Sequence, residues 1–402
     1  MQQELRLIEG VPSTGHHLTK SQIAALIQSP LKLAFIPEAR DDHYTVRSTA
    51  NQVGVIHLDD VSVLVNPAKC SPSLVVFMLG FARSPTALRA ELATFDESES
   101  IWEIMIRAFA HQLRRALSQG LHRGYQHEDD ALSTVRGRIR VEDQLRQRYR
   151  MAPPIEVSFD EYTEDVTENR LLKGALRLAH RLPISDSMLR QELRHLEPLL
   201  TNVQQIEFDA RRLPSVVWTR LNRHLEPAVG LAELILQNAS ISLGAGTANS
   251  PGFVVDMAKV FEDFVVVGVR DALGLSEQTF RHGSKALSLA ENVGLEPDFS
   301  WWEAGECVAI GDVKYKKISV EGVLHPDLYQ VFAYATAARL PSGMLVYAKG
   351  EGESVTHFVD VVGKRLEVEI LDLTNGPAGA LAELARIAGR LERERLTAGF
   401  AA

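Results

Sequence analysis

The chain has 402 residues, 45% of them hydrophobic, which is enough for ordinary cores in two or three domains. A formal net charge of -9 excludes a uniformly basic, nucleic-acid-coating protein, so any contact with a polyanion has to come from local basic patches. The only two cysteines, Cys70 and Cys307, lie far apart without His or Cys at ligand spacing, and exclude a disulfide framework and a zinc site. No signal peptide is read at the start, the longest apolar run (Leu74 to Leu79 with its neighbours) is far short of a membrane span, and a cytoplasmic location is expected.

In chain order, residues 1 to about 95 read as β-rich, with apolar runs at Gly54–Leu58, Val61–Val65 and Leu74–Leu79 separated by turn residues. His16 and His17 sit in a polar stretch and read as surface. Ser98 to Ser118 is predicted as an amphipathic helix with Trp102, Met105, Ile106, Phe109, Leu113 and Leu117 on one core-facing stripe. A strand around Val135–Val141 carries Arg136, Arg138 and Arg140, followed by Arg146, Arg148 and Arg150. These arginines are either a phosphate or acidic-partner contact or a charge-balanced solvated face. Met151-Ala152-Pro153-Pro154 reads as a boundary. Glu168–Arg181 is predicted as a helix with Asp165 and Glu168 at capping-box spacing; Ser185–Thr201 is a second, and Pro214–Gln237 contains a third. Ser240–Pro251 is a linker or loop. The last helix, Ala380–Leu396, is expected to pack through Leu384, Ile387 and Leu391 and to turn Arg386, Arg390 and Arg393 to water.

Between these lies the segment that carries chemistry. Asp256–Leu273 is predicted as a helix with Met257, Val260, Phe261, Phe264 and Val265 at helical spacing and Glu262 beside that stripe. Leu295–Trp302 and Cys307–Tyr315 read as two strands joined by Glu303-Ala304-Gly305-Glu306. Alternation puts Val308, Ile310, Asp312 and Lys314 on one face, with charges where an apolar strand emerges. A three-residue loop sets Asp298 opposite Asp312. A two-residue loop slips the register by one and turns the carboxylates to opposite faces, unless twist or a bulge restores it. His325–Ala338 reads as a helix with Asp327, Gln330 and Tyr334 on one face. Two adjacent carboxylates call for a cation; Mg²⁺, with Mn²⁺ as the alternative, takes oxygen ligands and activates water on a phosphodiester, with Lys314 stabilising the developing charge. Glu262 offers a third carboxylate.

Together Glu262, Pro297-Asp298, Asp312-x-Lys314 and Gln330-x-x-x-Tyr334 resemble the PD-(D/E)XK nuclease superfamily, in its RecB-like branch. Val53-Gly54-Val55-Ile56, Val63–Lys69, Arg138-Ile139-Arg140 after Gly137, and the run Phe159–Leu176 are similar to McrC, the endonuclease subunit of McrBC 5-methylcytosine restriction systems. The resemblance spans about residue 50 to the strand Met344–Ala348. It implies an α/β (overall α+β) chain: a β-rich, partner-docking region at 1–150, a helical middle region at 151–245 and a nuclease domain at 246–402. It implies Asp298, Asp312 and the Val313 main-chain carbonyl as metal ligands, Lys314 as the catalytic lysine, Glu262 as the acid of the first helix, and Gln330 and Tyr334 as residues that support the site or contact DNA. Glu296, which precedes Pro297-Asp298, reads as a solvated neighbour. Asn169 and Arg170 match the motif of the resemblance, yet serve equally to cap and pair within the fold.

No G-x-x-x-x-G-K-[ST] occurs, and Gly363-Lys364 lacks its context, so nucleotide hydrolysis through a P-loop is not expected. In systems of this kind a separate AAA+ GTPase subunit, McrB, recognises modified DNA, and the resemblance implies such a partner beside DNA. The readings to separate are a Mg²⁺-dependent endodeoxyribonuclease subunit and a non-catalytic scaffold that keeps the nuclease fold and activates a partner NTPase.

Overall fold

Strands dominate the two ends of the chain and helices its middle. The structure, a computed structural model, describes residues 3–58, 60–85, 100–148, 152–182, 184–238, 252–283, 287–316, 325–348 and 353–398. The first stretch holds β1 (Gln3–Ile8), β2 (Ser13–His17), α1 (Lys20–Ile27), β3 (Leu33–Pro37), β4 (His43–Ser48), β5 (Gln52–Leu58), β6 (Val61–Asn66) and α2 (Pro72–Arg83). Then come α3 (Ile101–Leu117), β7 (Gly124–Leu132), β8 (Arg138–Ile139), α4 (Val141–Arg148), β9 (Ile155–Thr163), α5 (Thr167–Arg181), α6 (Ser187–Leu196) and α7 (Glu226–Asn238). The remainder runs β10 (Gly252–Asp256), α8 (Met257–Ala272), β11 (Phe280–His282), β12 (Leu287–Ala290), β13 (Val293–Leu295), β14 (Phe299–Glu303), β15 (Glu306–Lys314), α9 (His325–Ala337), β16 (Ser342–Ala348), β17 (Val355–Val359), β18 (Lys364–Leu371) and α10 (Gly376–Ala398). Among the described residues no helix is long and apolar enough to cross a membrane.

The chain forms two compact units, one of Met1–Met105 with Asn238–Ala402, the other of Ile106–Gln237. This grouping differs from the division at 150 and 245 drawn from the sequence, and the reason is a strand exchange. β10 closes the sheet β1-β6-β5-β10 by pairing antiparallel with β5, Gly252 opposite Ile56 through Asp256 opposite Gln52. At Gly54 (φ 133°) a Cβ would lie 1.9 Å from the Phe253 carbonyl oxygen, so only glycine lets the two backbones meet. Phe77 and Phe81 of α2 then pack on Phe264 of α8, with ring centroids 6.0 and 5.6 Å apart.

The other half of this unit is a six-stranded mixed sheet ordered β11-β14-β15-β16-β18-β17, in which β15, β16 and β18 run parallel. Alternation along β15 assigns its two faces. Ile310 belongs to a core with Leu345, Tyr347, Leu366, Val368 and, from α9, Val331 and Tyr334, while Tyr315 meets Phe261 of α8 with ring centroids 5.7 Å apart. Helix α9 therefore covers the face of Ile310, and α8 the face of Tyr315.

Four sequence expectations change here. Leu74–Leu79, read as a strand, is the middle of α2: Ser71 caps it through Leu74 N–H (3.3 Å), Pro72 starts it, and burial all round erases the helical period that would have marked it. The strand at Val135–Val141 shrinks to Arg138–Ile139. Of the six arginines, Arg136 meets Glu161 (3.5 Å), Arg140 meets Asp129 (3.6 Å) and lies against Asp143, Arg146 is 3.8 Å from Asp143 and Arg148 meets Glu156 (3.2 Å); Arg150 lies outside the described residues. Asp165 and Glu168 form no capping box: α5 has no side-chain cap bond, Asp165 pairs with Arg170 (2.7 Å), and Asn169 donates to the carbonyls of His122 (2.8 Å) and Glu164 (2.7 Å). On α10, Leu384, Ile387 and Leu391 are buried as expected, but Arg386 and Arg390 reach two buried glutamates of β18 instead of water. The Ser240–Pro251 stretch lies outside the described residues.

Candidate active site

The hairpin of β14 and β15 decides the site. Its loop is the two-residue turn Ala304-Gly305, both at positive φ (49° and 89°), with Glu303 opposite Glu306 and Trp302 opposite Cys307. That register alone would set Asp298 opposite Gly311. One residue, Val308, bulges out between Trp301 and Trp302, and beyond it Trp301 faces Ala309, Ser300 faces Ile310 and Phe299 faces Gly311. Asp298, in the bend just before β14, thus follows in register with Asp312. Ile310, Asp312 and Lys314 share the α9 face; Val308, expected with them, is the bulged residue.

Asp312 is 1% exposed. The Lys314 ammonium lies against its Oδ2, and its Oδ1 has no hydrogen-bond partner among the described residues. Asp298 Oδ2 accepts the Val313 N–H at 2.7 Å. Because the main-chain N–H and C=O of a strand residue share an edge, the Val313 carbonyl opens to the same side. Burial, then the charge of Asp312, pushes the Asp298 carboxyl up to about 7. Burial also raises Asp312, against the opposing pull of Lys314. For Lys314 burial disfavours the ammonium, but Asp312 outweighs it and the lysine stays protonated.

Helix α9 braces this pair. Gln330 Nε2 donates to Tyr334 Oη at 2.7 Å, and Tyr334 Oη donates to the Glu296 carbonyl at 3.1 Å, pinning the backbone that delivers Pro297-Asp298. Tyr334 is 4% exposed and holds the turn from within the protein, while Gln330 is half-buried. Asp327, one turn earlier, accepts from Tyr347 Oη (2.6 Å) and Lys316 Nζ (3.0 Å), and is structural. Tyr334→Phe removes one or two hydrogen bonds that hold this turn, and the expected loss is about 1–2 kcal/mol of stability, a drop of a few degrees in melting temperature. Thermal unfolding of the two proteins side by side checks this; an unchanged melting temperature would show that the turn holds without it.

Glu262 lies on α8, which covers the opposite face, and its charge adds to the upward pressure on Asp298. Its partner is a residue that sequence reasoning missed: His282 Nε2 lies 2.7 Å from Glu262 Oε1. The only sequence signal was Phe280-Arg281-His282, too short for a periodicity to show. Glu296 is exposed, as expected of a neighbour of the site.

Among the described residues no three His, Cys, Asp or Glu side chains form a metal cage. The donor set is of another kind, two carboxylates and a main-chain carbonyl, which suits a hard cation that keeps its waters. The unsatisfied buried oxygen of Asp312 and the raised Asp298 carboxyl fit such a cation, because each marks negative charge that the protein alone leaves uncompensated. A stability test follows with a definite sign. Asp298 ionises near 3.8 when unfolded and at about 7 when folded, so between those values the folded chain binds more protons and stability falls as pH rises. Melting temperatures in chelator should therefore decline from pH 4 towards 7 by more in the wild type than in Asp298→Asn, and millimolar Mg²⁺ should remove the difference.

The mixed sheet, flanked by helices, carries an acid pair and a lysine at one strand end, and comparison with known proteins gives the family. The family described as McrBC 5-methylcytosine restriction system component matches residues 48–348, and the chain belongs to that family. Among solved structures it is similar to a refined half-complex from a tetradecameric assembly of Thermococcus gammatolerans McrB AAA+ hexamers with bound McrC. The similarity covers 96% of this chain and 100% of that one, at 17% identity and a TM-score of 0.56, and shows a shared fold. A cryo-EM structure of the Thermococcus gammatolerans McrBC complex aligns over 67% of this chain and 88% of that one, at 19% identity and a TM-score of 0.42. Comparison with curated proteins finds no match.

Proposed function

We propose that this chain is the Mg²⁺-dependent DNA-cutting subunit of a 5-methylcytosine-directed restriction complex, with a PD-(D/E)XK-type nuclease centre at the C-terminal end of β15. The observation that carries the reading is the bulge-restored register, which sets Asp298 beside Asp312 with Lys314 on the same strand face. Mg²⁺, when bound, would supply Lewis-acid polarisation of the phosphodiester and a water of lowered pKa. Asp298, Asp312 and the Val313 carbonyl would hold it, with Glu262 as the further carboxylate. Lys314, kept cationic by Asp312, hydrogen-bonds the oxygen on which charge builds. Tyr334 and Gln330 fix the Asp298 turn so that the carboxylates need no rearrangement.

The family and the fold shared with McrC bound to McrB hexamers support an AAA+ GTPase as the partner that recognises modified DNA and whose activity this chain stimulates. A cytoplasmic site of action goes with this reading. The scaffold alternative fares worse on one point: an uncompensated buried acid pair costs stability and brings nothing to a subunit that does not cut. The test is cleavage of methylated and unmethylated plasmid by the chain with its AAA+ partner, GTP and Mg²⁺. Methylation-dependent, Mg²⁺-dependent cutting is expected; stimulation of the partner's GTPase with no cutting under any of these conditions would favour the scaffold.

A further inference from the structure

β11 is a three-residue edge strand whose position is fixed on one side only, by β14. Phe280 is fully buried and stacks on Phe299, with centroids 5.5 Å apart and planes 12° from parallel. His282 pairs with Phe299, and the next residue, Gly283, donates its N–H to the Asp298 carbonyl at 3.2 Å. The strand that presents His282 therefore also grips the main chain of Asp298. Residues paired across strands share a face, so His282, Phe299 and Gly311 point to the α8 side. There both ring nitrogens meet carboxylates of α8: Nε2 is 2.7 Å from Glu262 Oε1, and Nδ1 is 3.7 Å from Asp263 Oδ1. Asp263 is also within 3.6 Å of Lys259 Nζ.

We propose that His282 is a positioning residue that fixes the Glu262 carboxylate on the α8 side of the strand end that carries Asp298, and so tunes the affinity of the centre for a divalent cation. A glutamate on a half-exposed helix face has several rotamers, and immobilising it costs entropy at the moment of cation binding unless a partner has already fixed it. His282 is that partner, and its own ring is clamped between two carboxylates of one helix. Loss of such an outer partner typically weakens metal binding about 10- to 100-fold. The proposal rests on the metal-nuclease reading above.

The experiment titrates the full-length chain with Mn²⁺, reading the free ion by electron paramagnetic resonance and the heat by calorimetry, for the wild type, His282→Ala, His282→Gln, Glu262→Gln, the His282→Ala/Glu262→Gln double variant and Asp312→Asn. His282→Ala is expected to raise the Mn²⁺ Kd roughly 10-fold, and His282→Gln, whose amide can donate from nearly the position of Nε2, to recover most of it. The double variant is expected to bind no worse than Glu262→Gln alone, because the histidine acts through that carboxylate. Unchanged Kd in His282→Ala, or effects of the two single changes that simply add, overturns the proposal. A lower melting temperature in His282→Ala with unaltered Kd assigns the histidine to docking β11 on α8 and also overturns it. Asp312→Asn separates the two levels: if it loses Mn²⁺ while His282→Ala does not, only the role of His282 falls, and if it binds Mn²⁺ like the wild type the carboxylate pair is not the metal site and both readings fall.

Discussion

On the proposed function, Asp312→Asn is expected to abolish DNA cleavage, by roughly 10³-fold or more, while leaving the protein folded and still able to stimulate the proposed GTPase partner. The change is nearly isosteric in a side chain that is 1% exposed, so packing is preserved. What disappears is charge. Asparagine cannot hold a hard cation as a carboxylate does, and it releases the Lys314 ammonium from the contact that keeps it oriented and protonated. Both halves of the chemistry, the cation and the lysine, fail in one substitution. Rates from supercoiled plasmid, with GTP turnover measured in the same reactions, check this. Cleavage within a few-fold of the wild type would remove Asp312 from the mechanism.

The largest stability effect is expected far from the site, at Arg390. Glu367 and Glu369 of β18 are 3% and 0% exposed, and their charges are met from α10. Arg386 Nη1 lies 2.6 Å from Glu369 Oε2, Arg390 Nη1 lies 2.7 Å from Glu369 Oε1, and Arg390 Nη2 lies against Glu367 Oε2. Thr356 Oγ1 also donates to Glu367, at 2.7 Å. Arg390→Met keeps the stem that packs on the sheet but removes the one guanidinium that two buried carboxylates share, leaving Glu369 to Arg386 and Glu367 to Thr356 and the more distant Arg365 (3.6 Å), and weakening buried pairs in this way costs about 3 kcal/mol. For a unit of this size that corresponds to a drop of roughly 10 °C in melting temperature. Arg386→Ala should cost less, since that guanidinium is more exposed and Glu369 keeps Arg390. Thermal unfolding of the two variants followed side by side is the check, and equal small shifts would mean that the network is solvated in solution.

How far the sequence disclosed this arrangement depended on the length scale of each signal. The strands and helices around the site were legible from periodicity: α8 beside Glu262, α9 with its polar stripe of Asp327, Gln330 and Tyr334, and β15 with alternating Ile310, Asp312 and Lys314. The register between Asp298 and Asp312 was not, because it hangs on two local choices that compensate, a two-residue turn and a one-residue bulge at Val308, and alternation cannot count a bulge. The pattern also failed where burial is complete. Leu74–Leu79 looks like a buried strand because α2 is enclosed on every side, and a uniformly apolar run carries no period. Charged residues were the hardest to read. Arg386 and Arg390 seemed bound for water, yet their partners lie on a strand some twenty residues earlier, and nothing local announces that pairing. His282 is the same case at the site itself, since its meaning comes only from Glu262 across the sheet edge. The grouping of β10 with β5 likewise joins segments about two hundred residues apart, which composition cannot show.

The central claim is that Asp298, Asp312 and the Val313 carbonyl form one divalent-cation site at the end of β15. Its most direct test is a crystal of the wild-type chain soaked in Mn²⁺ and measured at the manganese absorption edge. A single strong anomalous peak bounded by those three groups, absent from crystals of Asp312→Asn, is the predicted result. Bound Mn²⁺ elsewhere in the chain, with nothing between Asp298 and Asp312, would contradict it.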